Sequence, residues 1–323
     1  MIEILMAVYN GEKYLLPQLE SIFNQTDQGF TLTIRDNCST DRTVPLIQEF
    51  LKRHPGRVTL IEGKENWGAR GNFAYLAEIA KRDYIMFSDA DDVWLPLKIE
   101  ETRIEMKRLE ALYGTNIPLL VFTDLRVVDQ ELNTIDKSYW HYCQVIPSSI
   151  AELNRTLTMC NVCGCTALFN RALLNRMRPI PTQAVMHDWW LALVVSAFGR
   201  ASFLSKPTIL YRLHEDNESR PRKFAGIKGF LREIGTVLSS FPYRVYLKCI
   251  KNPPVLLRID PRYDQAQVFF ERFHNELRPE QEQIVRAFTS LKYSLWLQRK
   301  KVTFKYRLYP KAFVHCLREL LGG

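Results

Sequence analysis

The sequence predicts an α/β protein on a mainly parallel sheet with helices over both faces, and three observations carry that prediction. Short apolar runs alternate with stretches of helical period through the first 125 residues, the pattern of strand, crossover helix and parallel strand. At 323 residues, 46% of them hydrophobic, the chain can fill one large or two modest cores. Each apolar run also ends in a polar cluster, and ligands of such sheets sit beyond the carboxyl ends of the strands.

Residues 2–9 read as a buried strand, and 12–24 as a helix with Leu15, Leu16, Leu19, Ile22 and Phe23 on one face. A second strand at 30–35 is followed by Asp36-Asn37-Cys38-Ser39-Thr40-Asp41, a loop suited to cap the helix at 43–52, where Val44, Ile47 and Leu51 align. A third strand is expected at 58–62, a third helix at 72–82 and a fourth strand at 84–88. After a charged helix at 96–113, residues 119–122 read as a strand that ends at Thr123 and Asp124. From 125 to 215 the pattern is mixed α+β, with a helix at 189–198 and a strand at 202–204. Beyond Arg220 the patterns are helical or ambiguous and are interrupted by Pro242, Pro253, Pro254, Pro261 and Pro310. No internal repeat or low-complexity segment is visible.

Composition excludes a disordered or fibrous chain, and no stretch reaches the roughly 20 apolar residues of a spanning helix. The first residues lack the charged and apolar regions of a secretory leader, so a cytoplasmic location is expected. Seven scattered cysteines fit a reducing compartment; Cys160, Cys163 and Cys165 cluster without a second pair at zinc spacing and read as small buried or loop residues. The net charge of +9 is unevenly placed, +13 from Arg220 onward and −4 before it. A basic, aromatic-rich tail such as the segment 301–311 can lie on an anionic membrane surface, follow nucleic acid, or simply be solvated. No nucleic-acid motif accompanies the charge, so no nucleic-acid partner is expected.

The sharpest local signal is Ser88-Asp89-Ala90-Asp91-Asp92-Val93-Trp94, directly after a predicted buried strand. Carboxylates two apart in an extended segment point to one side, so Asp89 and Asp91 could converge on a hard cation or its bound phosphates; alone, the run reads equally as a helix-capping acidic loop. Tyr9-Asn10-Gly11, Asp36 and Asn66-Trp67-Gly68 end the other strands on the same edge and trace one pocket rim, with Gly permitting close backbone approach. Asp188 in His187-Asp188-Trp189-Trp190 is either a helix cap or a general base desolvated by aromatic rings. His214 in Tyr211-Arg212-Leu213-His214 is either a metal ligand or a packed histidine.

Six segments in this order, M-A-V-Y-N-G-E-K-Y-L at 6–15, R-D-N-C-S-T-D-R-T at 35–43, N-W-G at 66–68, S-D-A-D-D-V-W-L-P-L-K at 88–98, H-D-W-W at 187–190 and Y-R-L-H at 211–214, resemble family-2 glycosyltransferases. Within that family the wording is most similar to bacterial rhamnosyltransferases of cell-surface polysaccharide synthesis. The resemblance implies a GT-A fold over residues 1–220, with a nucleotide-sugar half at 1–125 and an acceptor half at 126–220, followed by a basic, mostly helical region at 221–323. It implies a donor site of Ala7, Tyr9, Asn10, Asp36, Asn66, Gly68, Ser88, Asp89 and Ala90, and a Mg²⁺ or Mn²⁺ site of Asp91, Asp89 and His214. Asp188 would be the base, with Trp94, Cys163, Gly164, His187 and Trp189 around the acceptor.

Two departures stand out: the usual D-D-G-S-x-D is D-N-C-S-T-D here, keeping Asp36 but not the second carboxylate, and Ala90 separates the metal-site aspartates where many rhamnosyltransferases have Gln. The implied reaction is an inverting displacement of a nucleotide diphosphate, with dTDP-rhamnose as the favoured donor and a lipid-linked saccharide at the cytoplasmic face of the inner membrane as acceptor. A UDP-linked hexose or N-acetylhexosamine is the alternative donor. A non-catalytic nucleotide-sugar or polysaccharide-binding protein is the alternative of another class.

Overall fold

A computed structural model describes residues 1–215, 217, 260–292, 302, 303 and 305–308. Along the chain run β1 (Ile2–Val8), α1 (Leu15–Phe23), β2 (Phe30–Asp36), α2 (Thr43–Arg53), β3 (Val58–Glu62), α3 (Gly68–Ile79), β4 (Tyr84–Ser88), β5 (Val93–Trp94), α4 (Lys98–Tyr113), β6 (Leu119–Val128) and β7 (Thr134–Asp136). Short α5 (Tyr139–Cys143) and α6 (Leu153–Thr156) precede β8 (Leu168–Asn170), α7 (Arg171–Met177), α8 (His187–Phe198) and β9 (Arg200–Arg212). Two later helices are α9 (Pro261–Phe273) and α10 (Pro279–Ser290). The expected membrane contact of the basic tail falls mostly on 218–259 and 293–323, largely outside the described residues.

The strands form one mixed sheet in the order β3-β2-β1-β4-β8-β6-β9-β5, with β7 on β6. The first four are parallel, in register from Ile2 opposite Phe30 on one side to Ile2 opposite Tyr84 on the other. β8 enters antiparallel between β4 and β6 and turns the nucleotide-type half into the second half. β1, apolar except for Glu3, has both faces covered, one core holding Leu5, Phe87, Phe122 and Trp190 and the other Ile4, Met6, Leu19 and Ile99. The helix period is equally plain in α1, whose Leu15, Leu19 and Ile22 are fully buried.

Boundaries shift from the expectation most at β6, at β9, which spans Arg200–Arg212 rather than 202–204, and at the third helix. β6 continues past Thr123 and Asp124 to Val128, paired along its length with the 13-residue β9. These polar side chains are buried with their bonding satisfied: the Thr123 and Thr208 hydroxyls lie 2.6 Å apart, and Asp124 accepts from Ser138 Oγ at 2.5 Å and from two backbone N–H groups. The third helix begins at Gly68 rather than 72 and ends at Ile79, where Glu3 accepts from the backbone N–H groups of Lys81 and Arg82. The described part of the C-terminal region belongs to the first core, with Phe269 of α9 at 5.7 Å from Trp190 of α8 and Val285 of α10 buried beside them.

Candidate active site

The strand order sets the carboxyl ends of β3, β2, β1 and β4 side by side, and the acidic loop leaves β4 there. Ser88 is fully buried; its hydroxyl accepts from Gln18 Nε2 and donates to the Asp89 carbonyl, both at 3.0 Å. It shapes the loop from beneath, which corrects the expected donor contact. Beyond it the chain bends at Ala90 and Asp91 instead of staying extended, so the carboxylates do not simply alternate. Asp89 groups with Asp92 and Cys165, their ligating atoms all within 4.8 Å of one another. Asp91 turns toward the end of β9, where its Oδ2 lies 2.7 Å from His214 Nε2 and accepts from Asn217 Nδ2 at 3.3 Å.

Arg212 ties this loop to β9. Its Nε donates to the Asp91 carbonyl at 2.8 Å and its backbone N–H to Asp92 Oδ1 at 3.2 Å, while the guanidinium lies 4.6 Å over the Tyr14 ring. Tyr14 in turn sits 5.0 Å from the His214 ring. Asp92, Cys165, Arg212 and Tyr14 are the site residues that sequence reasoning missed. The first lies in the acidic run itself, but regular alternation turns it away from Asp89; Arg212 lies inside the quoted Y-R-L-H.

Electrostatics sets the acidity of this cluster. Burial pushes Asp89 up to about 7, and the charges of Asp91 and Asp188 add to it. Asp92 is held well above the carboxylate range by burial, then by Asp91 and Asp89. Below lies the fully buried Lys98, its Nζ 4.5 Å over the Trp94 ring; burial lowers it to about 8 against the pull of Cys165 and Asp92. A hard divalent cation fits these residues. Crowded carboxylates and one imidazole supply its ligand types, and Asp92 Oδ2 is buried without a hydrogen-bond partner.

Asp188 opens α8, where its Oδ2 accepts the Gly164 backbone N–H at 3.1 Å. Burial pushes it up to about 6, outweighing the backbone N–H groups that favour its charge. At neutral pH such a carboxylate is mostly ionised and a stronger proton acceptor than a solvated one. Cys163 stays a thiol beside it, held well above its ordinary range by burial and by Asp188. The Trp189 indole donates to the Thr156 carbonyl at 2.6 Å, which anchors the other wall.

Two expected acceptor contacts are corrected. Trp94 is 2% exposed and belongs to the core above Lys98. His187 is 5% exposed, stacked 3.9 Å from Phe73 and set edge-on 4.8 Å from Phe87, with neither ring nitrogen hydrogen-bonded. Burial lowers its pKa to about 3, so it is a neutral core side chain beneath Asp188.

On the other side of the acidic loop, Asp36 is 3% exposed; its Oδ2 accepts from the Ser39 N–H at 3.0 Å and its Oδ1 has no partner. Asn10 braces that loop, donating its N–H to Ser39 Oγ at 2.9 Å and accepting from Thr40 N–H at 2.8 Å. Asn37, where the family pattern has a second carboxylate, instead builds the rim. Its Oδ1 accepts from the Trp67 N–H at 2.9 Å, and its Nδ2 donates to Asn66 Oδ1 at 2.6 Å. Asn66 Oδ1 also accepts from the Gly68 N–H at 2.9 Å, where φ is +65° and glycine carries no steric cost. Tyr9 is exposed, and Ala7 and Ala90 are half-buried. A groove lined by Asp83, Tyr84, Arg171 and Arg176 lies at the opposite ends of the strands, away from these groups.

Residues 3–178 match the family model described as Glycosyl transferase family 2. The chain is 26% identical over 232 residues to the dTDP-rhamnosyl transferase RfbG of Shigella flexneri, covering 66% of this chain and 73% of that one. It is 28% identical over 165 residues to the teichoic acid poly(glycerol phosphate) polymerase of Staphylococcus epidermidis, covering 51% of this chain but 22% of that longer protein. Among solved structures, S. aureus TarS 1–349 in complex with UDP-GlcNAc superposes with a TM-score of 0.57 at 15% identity, over 90% of this chain and 72% of that one. That likeness is one of fold, the GT-A arrangement of sheet and helices.

Proposed function

Because the chain belongs to glycosyl transferase family 2, we propose that it moves L-rhamnose from dTDP-rhamnose to a saccharide acceptor, lipid-linked, in the assembly of a bacterial surface polysaccharide. The observation that carries the reaction is the placement of Asp188: desolvated, apart from the acidic loop, yet close enough for its charge to raise Asp89. Two carboxylate groups with distinct environments suit two roles, diphosphate handling and proton removal. The choice of donor rests on the similarity to the Shigella transferase.

In this reading Asp36 Oδ1, buried and without a partner, accepts an N–H of the nucleobase, and Tyr9 covers a face of the base. A cation held by Asp91 and His214, with Asp89 beside them, would offset the charge that develops on the departing diphosphate. Asp188 takes the proton of the acceptor hydroxyl as that oxygen attacks the anomeric carbon. The bond to the diphosphate oxygen breaks on the opposite face, and the configuration inverts.

The test is a panel of nucleotide sugars, dTDP-rhamnose first and UDP-linked hexoses alongside, incubated with Mg²⁺ or Mn²⁺ with and without lipid-linked acceptor. Metal-dependent release of dTDP that rises with acceptor supports the reading. Release from UDP sugars alone would replace the donor, and release from none would sink it.

The +13 balance beyond Arg220 supports peripheral docking on an anionic membrane, where a lipid-linked acceptor would reside. No helix among the described residues is long and apolar enough to cross a membrane. Salt-sensitive co-sedimentation with anionic liposomes is the expected result; its absence would leave the basic region as a solvated face.

A further inference from the structure

Trp67 is large, apolar, 46% exposed and nevertheless fixed at three points. Its backbone N–H donates to Asn37 Oδ1 at 2.9 Å, its indole N–H to Glu65 Oε2 at 3.3 Å, and the Arg35 guanidinium lies 4.2 Å from its ring centroid. Arg35 is itself 2% exposed and donates to the same Asn37 Oδ1 at 3.2 Å, so it is a built support rather than a passing surface cation. Gly71 leaves room for this placement: a Cβ there would come within 2.6 Å of the Trp67 Cβ. The Trp67 ring also lies 5.9 Å from that of Tyr75 on α3, so the indole is seated against Arg35 and Tyr75 with the rest of its surface left exposed, immobilised in advance of any contact.

Its place in the sheet says what it would meet. β2 lies between β1 and β3. The Asp36-Asn37 end of β2 is joined on one side to Val8, just before Tyr9, by the Asn37 N–H to Val8 carbonyl bond at 2.9 Å. On the other side it is joined to Trp67 through the Asn37 side chain. Two exposed aromatics, Tyr9 at 52% and Trp67 at 46%, therefore stand beyond the ends of β1 and β3, on either side of the strand that carries a buried carboxylate whose Oδ1 has no partner. An aromatic beyond each neighbouring strand and a lone acceptor between them suit a planar heterocycle with an N–H on its edge.

We propose that Trp67 is the second wall of the nucleobase slot, stacking on the donor's base opposite Tyr9, with Arg35 and Asn37 as its positioning residues. This rests on the donor-site reading of Asp36 and extends it to a residue that chooses a base-bearing ligand over a bare diphosphate.

Titrations of the intact protein in Mn²⁺ with dTDP, UDP and base-free pyrophosphate test the assignment. Trp67→Ala should weaken dTDP and UDP on the order of ten-fold and leave pyrophosphate unchanged, while Trp67→Phe keeps most of the affinity. dTDP should quench the tryptophan emission of wild type more than that of Trp67→Phe. Thermal melts confirm that both variants fold, and Trp67→Phe retains a ring for Arg35. Unchanged dTDP binding in Trp67→Ala, or an equal loss of pyrophosphate, overturns the Trp67 assignment alone. Wild-type protein that binds neither dTDP nor UDP overturns the donor reading and this assignment with it.

Discussion

His214 Nε2 lies 2.7 Å from Asp91 Oδ2, a contact between residues 123 apart in sequence that ties the end of β9 to the loop after β4. It unites the two motifs that local patterning could describe only separately. A bridge of imidazole to carboxylate also gives each group a fixed direction, the condition for holding a cation or diphosphate in one place.

His214→Ala should therefore raise the metal concentration needed for half-maximal donor turnover by about ten-fold or more. A metal titration of turnover checks this. An unchanged titration would leave His214 as a packing partner of Tyr14.

Asp188→Asn should lower transfer by about 10²- to 10⁴-fold with dTDP affinity nearly unchanged, because the amide keeps the shape but accepts no proton. The wild-type kcat/KM should fall as pH drops through about 6, where the raised Asp188 carboxylate protonates. That acid limb should be missing from the residual activity of the variant. Transfer kinetics and calorimetric dTDP binding, measured from about pH 5 to about pH 9, separate the two effects.

Gly164→Ala places a Cβ 2.7 Å from His187 Nε2 and 3.4 Å from the Asp188 Cβ. Overpacking of this kind costs about 1–3 kcal/mol, and the movement that relieves it displaces Asp188. Urea unfolding should show the lost stability, and transfer should fall more than donor binding.

His187 carries a distinct signature in stability against pH. Its folded pKa of about 3 lies below the ordinary 6.5, so the unfolded chain binds the extra proton between those values. The proton-linked loss is absent above about 6.5, and stability falls progressively as pH drops toward about 3. His187→Leu removes the titrating ring at similar volume, and its melting temperature should drop less than that of wild type between neutral pH and pH about 5. Parallel loss in both proteins would place the acid sensitivity elsewhere.

Much of the first half was legible because each element carries its own pattern. The mainly apolar β1 and β4, the Leu15, Leu19 and Ile22 stripe, and polar strand ends at Tyr9, Asp36, Asn66 and Asp89 are local features, and the parallel order follows from strand and helix alternation. The extension of β6 through Thr123 and Asp124 was not legible, because what satisfies those side chains comes from Thr208, Ser138 and Trp140. A buried polar residue looks like a strand end until its distant partners are known.

By itself the sequence determined which residue types stand at the sheet's ligand-binding edge, since strand period and turn chemistry are written within a few residues of each position. Only the tertiary structure decided which of them face the same space. It sank Ser88, Trp94 and His187 into the interior, brought Asp92 and Cys165 to Asp89, and supplied His214 and Arg212 to the acidic loop from β9. The reason is physical: burial and charge coupling depend on what packs over a side chain, and at this site the covering comes from segments as much as 126 residues away.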